Sequence, residues 1–328
     1  MTPLACTREK TPPTPPISAH LAARIQREFT TRWDTLWSGR SLLHGREAGS
    51  GAVRLNGNDY LSLTGHPDIV QAQTLAIKTD AEFVIQSGVF LLDEHPARKL
   101  ELKLARMLGQ EDGLICQSGY AANLGLLQSI ADEKTVIYMD TLAHTSLWEG
   151  ARRAGATTHP FRHNDAEHLD RLVQRHGAGL IVVDSVYSTT GAVAPLVQVV
   201  EVAERRGCMT LVDESHSLGT HGPQGAGLCA ELGLSHRVHF ITASLAKAFA
   251  GRAGFLSVPA AMRNYVLSTS YPNMFSSCLL PHEIAALDAT LEVIRRSDTE
   301  RQRLHAHTVQ LRGMLSDLGY PIHQGTEQ

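Results

Sequence analysis

Short apolar runs alternate with stretches of helical periodicity along most of the chain. The β-rich runs occupy residues 113–118, 135–140, 179–186, 209–215, 238–245 and 254–258. Near-continuous apolar strands that are separated by helices are typical of a parallel sheet covered on both faces. The pattern therefore predicts an α/β fold.

Two stretches outside this alternation show helical periodicity. Between residues 21 and 37 apolar side chains recur every four positions, at Leu21, Ile25, Phe29, Trp33 and Trp37. This spacing predicts one face of an amphipathic helix, which either packs within the chain or clasps a second subunit. Residues 97–108 predict a further helix, which ends at Gly109.

Charge and cysteine content narrow the function classes. Of the 328 residues, 30 are Lys or Arg and 33 are Asp or Glu, a formal net charge of −3. Because no long basic run is present, we expect no nucleic-acid partner. No apolar stretch has the length of a membrane span.

The five cysteines form no CxxC pair, which favours reduced thiols in a cytoplasmic protein. Residues 1–17 lack the apolar core of a signal peptide, and their prolines predict a flexible leader.

Polar residues follow five of the predicted strands. In open parallel sheets, ligands bind beyond the carboxyl ends of the strands, so these residues are expected to converge on one crevice. They are Ser118 and Gly119, Asp140 and His144, Ser185, Asp213 with Glu214 and His216, and Ser244 with Lys247.

Lys247 lies among small and apolar residues in ITASLAKAFAGRAG. Poor solvation of its ammonium form should lower the pKa of this lysine, which makes the amine nucleophilic toward an aldehyde. The alternative is a lysine that extends its amine to solvent from a strand-to-helix turn.

Asp213 ends a buried strand, and a buried carboxylate needs a partner. Enzymes that use pyridoxal phosphate (PLP) employ such an acid to keep the pyridine nitrogen protonated. His216 lies three residues further on and could bond the phenolic oxygen of the same ring. The alternative is an aspartate that caps the next helix.

The segment Gln117–Asn123 joins a strand to a predicted helix, whose first N–H groups could hold a phosphate. An ordinary serine N-cap is the alternative. His144 could lie flat over an aromatic cofactor, or else pair with Asp140.

The spacing of His159, His163 and His168 comes with no HExxH motif or Cys/His cluster, so we expect no metal site. The chain also lacks a G-x-S-x-G elbow and a G-x-G-x-x-G fingerprint, which argues against a serine hydrolase and an NAD enzyme.

The order of these signals resembles that of the α-oxoamine synthases, which are PLP enzymes. The matching stretches are NDYLSL (58–63), QSGYAAN (117–123), DTLAHTSLWEGAR (140–152), DSVYSTTGAVAPL (184–196), VDESHSLGTHGPQGAGL (212–228) and TASLAKAFAGRAG (242–254). Within the family, LWEGAR, VDSVYSTTG and HFITASLAK resemble the α-hydroxyketone autoinducer synthases of bacterial quorum sensing. The resemblance implies PLP fold-type I, with a mostly parallel seven-stranded sheet covered by helices.

The resemblance also implies a role for each matching residue. Lys247 would form the Schiff base with PLP and move the Cα proton, and Asp213 would pair with the pyridine nitrogen. His216 and Ser185 would contact the phenolic oxygen, and His144 would stack on the ring.

Other matching residues would hold the phosphate and the substrate. The phosphate contacts would be Ser118, Gly119, Tyr120 and Ser244. Ser276 resembles a residue that reaches the phosphate of the neighbouring subunit, which implies a homodimer with shared sites. Asn58 would lie near the carboxylate of the amino-acid substrate.

The implied reaction joins an acyl-CoA to an amino-acid donor, S-adenosylmethionine or 2-aminobutyrate, to give an aminoketone precursor of the autoinducer. The alternatives are another α-oxoamine synthase, such as 8-amino-7-oxononanoate synthase, and a PLP-binding protein without activity.

The expected organisation is a leader and N-terminal helical arm (1–55), a large PLP-binding domain (56–275) and the start of a truncated small domain (276–328). Two departures from the family are Ser87-Gly88-Val89, where an arginine is usual, and the end at Gln328.

Overall fold

The computed structural model describes residues 15–39, 49, 51–52, 57–79 and 85–322. The predicted leader lies almost wholly outside these residues, and so do the proposed boundary near residue 56 and the end at Gln328. The chain divides into two compact units, Met1–Asn56 and Gly57–Gln328.

In the first unit the described residues form one helical stretch. It consists of α1 (Ala19–Ile25), a π-helical turn (Gln26–Thr30) and α2 (Thr31–Trp37). Ser18 begins it, because its Oγ accepts a hydrogen bond from the backbone N of Leu21. The helix predicted over residues 21–37 is therefore present.

The second unit is built on a seven-stranded sheet. Its strands are β1 (Asp112–Cys116), β2 (Val136–Asp140), β3 (Thr157–Phe161), β4 (Leu180–Asp184), β5 (Met209–Asp213), β6 (Phe240–Ser244) and β7 (Gly254–Val258). The spatial order is β1-β7-β6-β5-β4-β2-β3. All neighbours are parallel except that β7 is antiparallel to both β1 and β6. The mostly parallel sheet predicted from the sequence is confirmed.

Helices cover both faces of this sheet. The helices of this unit are α3 (Pro67–Thr79), α4 (Pro96–Met107), α5 (Gly119–Ile130), α6 (Thr145–Ala154), α7 (Ala166–His176), α8 (Leu196–Arg206), α9 (Leu228–Glu231), α10 (Arg263–Thr269), α11 (Tyr271–Met274), α12 (Pro281–Arg295) and α13 (Asp298–Asp317). Along β4, Ile181 and Val183 join one apolar cluster while Leu180 and Val182 join the other. Since successive side chains point to opposite faces, the strand is buried on both sides, which explains its continuous apolar sequence.

Strand β3 was not predicted, because its sequence TTHPF lacks an apolar run. It lies at the edge of the sheet, pairs only with β2 among the described strands, and leaves Thr157 and Pro160 exposed. An edge strand tolerates polar residues and a proline, since one side of its ladder is free.

After β7 the described helices are α10 to α13, with a loop between α11 and α12, and the long helix α13 buries none of its residues. The division at residue 276 stays a prediction. Within the described part of the chain, no helix combines the length and apolar character needed to cross a lipid bilayer.

Candidate active site

Four neighbouring strands end in polar residues at one edge of the sheet. In the spatial order β6, β5, β4 and β2, the last residues are Ser244, Asp213, Asp184 and Asp140. Asp184 and Asp213 are paired in register. Because parallel strands share a carboxyl edge, these side chains line the crevice in which such sheets bind ligands.

Asp213 is buried and firmly held. Its Oδ1 accepts a hydrogen bond from the backbone N of Ser215 at 2.8 Å. Its Oδ2 accepts another from Nδ2 of Asn123 at 2.6 Å. Only 4% of Asp213 is exposed. The carboxylate is thus fixed in orientation, and its remaining lone pairs can accept a hydrogen bond from a ligand.

His144 stands at the start of α6, where its Nδ1 lies 2.6 Å from Oγ of Ser146. Its backbone N donates to Oδ1 of Asp184 at 3.2 Å. Asp140, the partner considered from the sequence, instead accepts from Nδ1 of His163 at 3.0 Å. The His144 ring is exposed and is not paired with Asp140.

The turn after β1 brings backbone and side chains close to Ser244. Ser118 caps α5, because its Oγ accepts from the backbone N of Ala121 at 3.1 Å. A Cβ atom on Gly119 would lie 2.6 Å from Cβ of Ser244, so this position tolerates only glycine without movement. Tyr120 is partly exposed and meets the His144 ring edge-on, with 6.4 Å between centroids. The first N–H groups of α5 thus open beside Ser244, as an anion site requires.

Lys247 lies half-buried on the turn after β6. Burial lowers the pKa of this lysine from its ordinary value, and the negative charge of Asp213 partly opposes the shift. The direction agrees with the one expected from the sequence. The Asp213 contribution also shows that the amine lies within electrostatic reach of the carboxylate.

His216 is buried and bonds to Tyr60, whose hydroxyl lies 2.6 Å from Nδ1 of the imidazole. Burial lowers the pKa of His216 to about 4, and the positive charge of Lys247 adds to the effect. Burial raises the pKa of Tyr60 to about 12. Both side chains are therefore uncharged at neutral pH, and the phenol donates to Nδ1.

Ser185 lies on the same edge of the sheet. Its Oγ donates to the backbone O of Asp213 at 3.0 Å and lies 2.6 Å from Oγ of Ser217. Ser217 in turn bonds to the carboxylate of the fully buried Glu214.

Two predicted residues lie at the margin of this cluster. Asn58 is exposed, and its backbone O accepts from the N of Tyr60 at 3.0 Å. Ser276 is half-buried on the loop after α11. The next residue, Ser277, accepts a hydrogen bond from Nε2 of Gln117 through its backbone O, which brings this loop to the Ser118 turn.

The three histidines with suggestive spacing are separate. His159 stacks on His176 with 3.9 Å between ring centroids. His163 bonds to Asp140, and Nδ1 of His168 accepts from the backbone N of Arg162. Each has a structural partner of its own.

Asn123, Ser146, Tyr60 and Asp184 were not predicted as site residues, although all lie within the stretches that carry the resemblance. The available signal was a polar side chain in an otherwise apolar helix or strand, as with Asn123 in AANLGLL. Its partner Asp213 lies 90 positions away in the chain. Only the fold brings the two together.

These residues fit PLP in their chemistry. The group carries an aldehyde, a pyridine nitrogen and a phosphate, and the crevice offers an amine of lowered pKa, a buried carboxylate and a helix N-terminus. Beside Asp213, Oδ1 of Asn123 and Oγ1 of Thr242 are buried and have no partner among the described residues. Buried polar atoms of this kind usually have a partner, which a bound ligand could supply.

Comparisons with known proteins agree with this arrangement. Residues 50–326 match the family described as aminotransferase class I and II. The CAI-1 autoinducer synthase of Vibrio campbellii is 44% identical over 95% of this chain and 79% of its own length. The 5-aminolevulinate synthase 2 of Cereibacter sphaeroides is 33% identical over 91% of this chain and 73% of its own length. A serine palmitoyltransferase variant from S. paucimobilis, solved with a bound PLP–myriocin aldimine, superposes with a TM-score of 0.84 and 25% identity. That alignment covers 94% of this chain and 81% of the other.

The chain belongs to the aminotransferase class I and II family, and its fold is the PLP fold-type I. Within that family it is a PLP-dependent acyltransferase of the α-oxoamine synthase type. The predictions of fold, cofactor and enzyme class are confirmed.

Proposed function

We propose that this enzyme condenses an acyl-CoA with an amino-acid donor, S-adenosylmethionine or 2-aminobutyrate, to form an aminoketone precursor of an α-hydroxyketone autoinducer. The observation that carries the chemistry is that Lys247 follows β6 and the buried Asp213 ends the neighbouring parallel strand β5. The similarity to the CAI-1 autoinducer synthase supports the choice of product. We infer further that the enzyme acts in the cytoplasm, since the described residues include no membrane-spanning helix.

Lys247 would act as the covalent anchor of the cofactor and as the base. Its lowered pKa leaves more of the amine unprotonated near neutral pH than an exposed lysine would have. Nζ can therefore take a proton from the α-carbon of the amino-acid substrate. When bound, PLP supplies an electrophilic aldehyde and an electron-accepting ring.

Asp213 would hold the proton of the pyridine nitrogen. The two hydrogen bonds from Ser215 and Asn123 fix the carboxylate in one orientation, so its free lone pairs face a defined direction. His216 accepts at Nδ1 from Tyr60, so the single ring proton of the uncharged imidazole lies on Nε2, and His216 would contact the phenolic oxygen. Ser185 would contact the same oxygen.

The remaining contacts would bind and orient. The α5 N-terminus with Ser118, Gly119 and Tyr120 would bind the phosphate together with Ser244, and His144 would cover the ring. Asn58 would lie near the substrate carboxylate. Ser276 would reach the phosphate of a second subunit, so the active enzyme would be a homodimer.

An assay of CoA release tests the proposal. The purified, PLP-loaded enzyme should release CoA with S-adenosylmethionine or 2-aminobutyrate and octanoyl- or decanoyl-CoA, and mass spectrometry should find the aminoketone. Turnover restricted to alanine with a pimeloyl thioester would instead assign 8-amino-7-oxononanoate synthesis. Bound PLP with no CoA release from any pair of substrates would contradict catalysis.

A further inference from the structure

A hydrogen-bond chain joins Asp213 to His144 through Asn123 of α5 and Ser146 of α6. Nδ2 of Asn123 lies 2.6 Å from Oδ2 of Asp213 and 2.9 Å from Oγ of Ser146. Oγ of Ser146 lies 2.6 Å from Nδ1 of His144. Asn123 is 2% exposed and Ser146 is 0% exposed, so water does not compete for the two bonds that the Asn123 amide donates.

The donor and the acceptor of each hydrogen bond in this chain can be assigned by starting from Asp213. The carboxylate of Asp213 only accepts, so the amide of Asn123 must turn its NH₂ group toward it. The second proton of that NH₂ group goes to Oγ of Ser146. Ser146 has then accepted a bond, and its own proton is free to go to Nδ1 of His144.

A backbone hydrogen bond independently identifies Nδ1 of His144 as an acceptor. The N–H of Ser146 also points to Nδ1 of His144, at 3.3 Å. A backbone N–H can only donate, so Nδ1 is an acceptor and carries no proton. The ring proton of the imidazole therefore lies on Nε2.

We propose that Asn123 and Ser146 are positioning residues that couple the two sides of the cofactor site: they orient the Asp213 carboxylate and hold the His144 ring in the Nε2–H tautomer. This inference rests on the proposed roles of Asp213 and His144. The side of the site that binds the pyridine nitrogen and the ring that covers the cofactor are thereby set by one continuous network.

The first test reads the tautomer directly. In the full-length protein labelled with ¹⁵N-histidine, with a His144→Gln variant to assign the signal, Nδ1 of His144 should appear unprotonated and Nε2 protonated. This should hold both with PLP bound and after its removal, because every atom of the chain belongs to the protein. A proton on Nδ1 would overturn the inference. That result is separate from a failure of the proposed function, which would show as absent PLP or absent CoA release while the tautomer is as stated.

The second test uses matched serine variants. Ser146→Ala removes the link, whereas Ser146→Thr keeps a hydroxyl at the same place. Ser129→Ala is the control, since Ser129 is also buried, lies on α5, and donates only to the backbone O of Gly125 in the described contacts. If Ser146→Ala does not fold, Ser146→Cys keeps the volume with a much weaker donor and takes its place.

Ser146→Ala should change the visible circular dichroism of bound PLP, which reports how the ring is oriented. It should also lower kcat about tenfold, as expected for one lost bond to a functional group, with KM for both substrates little changed. Ser146→Thr should restore both properties, and Ser129→Ala should leave both at wild-type values. Unchanged dichroism and kcat in Ser146→Ala, or equal changes in Ser129→Ala, would overturn the proposal.

Discussion

The hydroxyl of Tyr60 lies 2.6 Å from Nδ1 of His216, although the two residues are 156 positions apart in the chain. Since burial raises the pKa of Tyr60 to about 12 and lowers that of His216 to about 4, the bond joins two uncharged groups. It fixes which imidazole nitrogen accepts and which one carries the proton.

Replacement of Tyr60 by Phe keeps the ring and removes the only donor from Tyr60 to Nδ1. Without that donor the His216 imidazole can exchange tautomers, so the phenolic oxygen of PLP loses part of its hydrogen bond. We expect the stability to fall by about 1 kcal/mol and PLP to bind more weakly. Urea unfolding and a PLP titration of the cofactor-free protein measure the two effects.

The control is Tyr265→Phe, which removes a hydroxyl that donates to the backbone O of Ser129 outside the site. It should lower stability by a similar amount and leave the affinity for PLP unchanged. Equal PLP affinity in Tyr60→Phe and wild type would contradict the role given to this bond.

The second prediction concerns stability in acid. The pKa of His216 is lowered to about 4 in the folded protein, against about 6.5 when unfolded. Its contribution to stability is therefore present above pH 6.5 and is lost as the pH falls toward 4, because only the unfolded chain takes up the proton there. A shift of this size is worth roughly 3 kcal/mol at most.

Cofactor-free protein and a His216→Gln variant should be unfolded with urea at several pH values between 4 and 7. As the pH falls from 7 to 4, the free energy of unfolding should decrease much less in His216→Gln than in wild type. The exposed His307→Gln variant should show the same decrease as wild type. Parallel curves for wild type and His216→Gln would contradict the prediction.

The third prediction concerns Asp184, which is 3% exposed. Burial raises its pKa well above the ordinary value, and the charges of Asp213 and Asp140 add to the shift. A raised carboxyl pKa means that the contribution to stability is present in acid and is lost as the pH rises through the folded-state pKa. The uncharged Asp184→Asn variant still offers an oxygen to the backbone N of His144, and it should be more stable than wild type at high pH.

Asp170 gives the opposite case, since hydrogen bonds from Arg206 and Arg205 lower its pKa. Asp170→Asn should therefore be less stable than wild type at neutral pH. Melting temperatures between pH 5 and pH 9 measure both variants. An Asp184→Asn protein that is less stable than wild type at pH 9 would show that Asp184 is charged in the folded state.

The fourth prediction concerns Gly119. A methyl group there would meet Cβ of Ser244 at 2.6 Å, so Gly119→Ala must displace the turn or strand β6. We expect a loss of about 1–3 kcal/mol in stability and a weaker affinity for PLP. Gly313→Ala is the control, because no atom lies within 4 Å of its added carbon and alanine favours the helix. Gly119→Ala with wild-type PLP affinity would argue against phosphate binding at this turn.

The sequence predicted the strands that are buried on both faces, since a continuous apolar run such as residues 180–183 is typical of a strand in the middle of a covered sheet. It did not predict β3, whose polar edge position leaves no apolar signal. The sequence also showed that the candidate residues follow predicted strands. Ligands bind beyond the carboxyl ends of the strands in an α/β sheet, so these residues were expected to line one crevice.

The partners of those residues could not be predicted. Which side chain bonds Asp213 depends on how α5 packs against the sheet, and Asn123 is separated from Asp213 by 90 positions. The same holds for Tyr60 and His216. The pairing of His144 with Asp140 was open from the sequence, and the structure gives Asp140 to His163 instead. Packing, not local pattern, decides these contacts.

The most direct test of the central claim is to locate the covalent link to PLP. The loaded protein should be reduced with borohydride and digested, and the peptide that carries PLP should be identified by mass spectrometry. We predict that the modified residue is Lys247, that Lys247→Ala loses both the modification and the visible absorption band, and that Lys134→Ala, at an exposed site, keeps both. A Lys247→Ala protein that retains the reducible link would contradict the account.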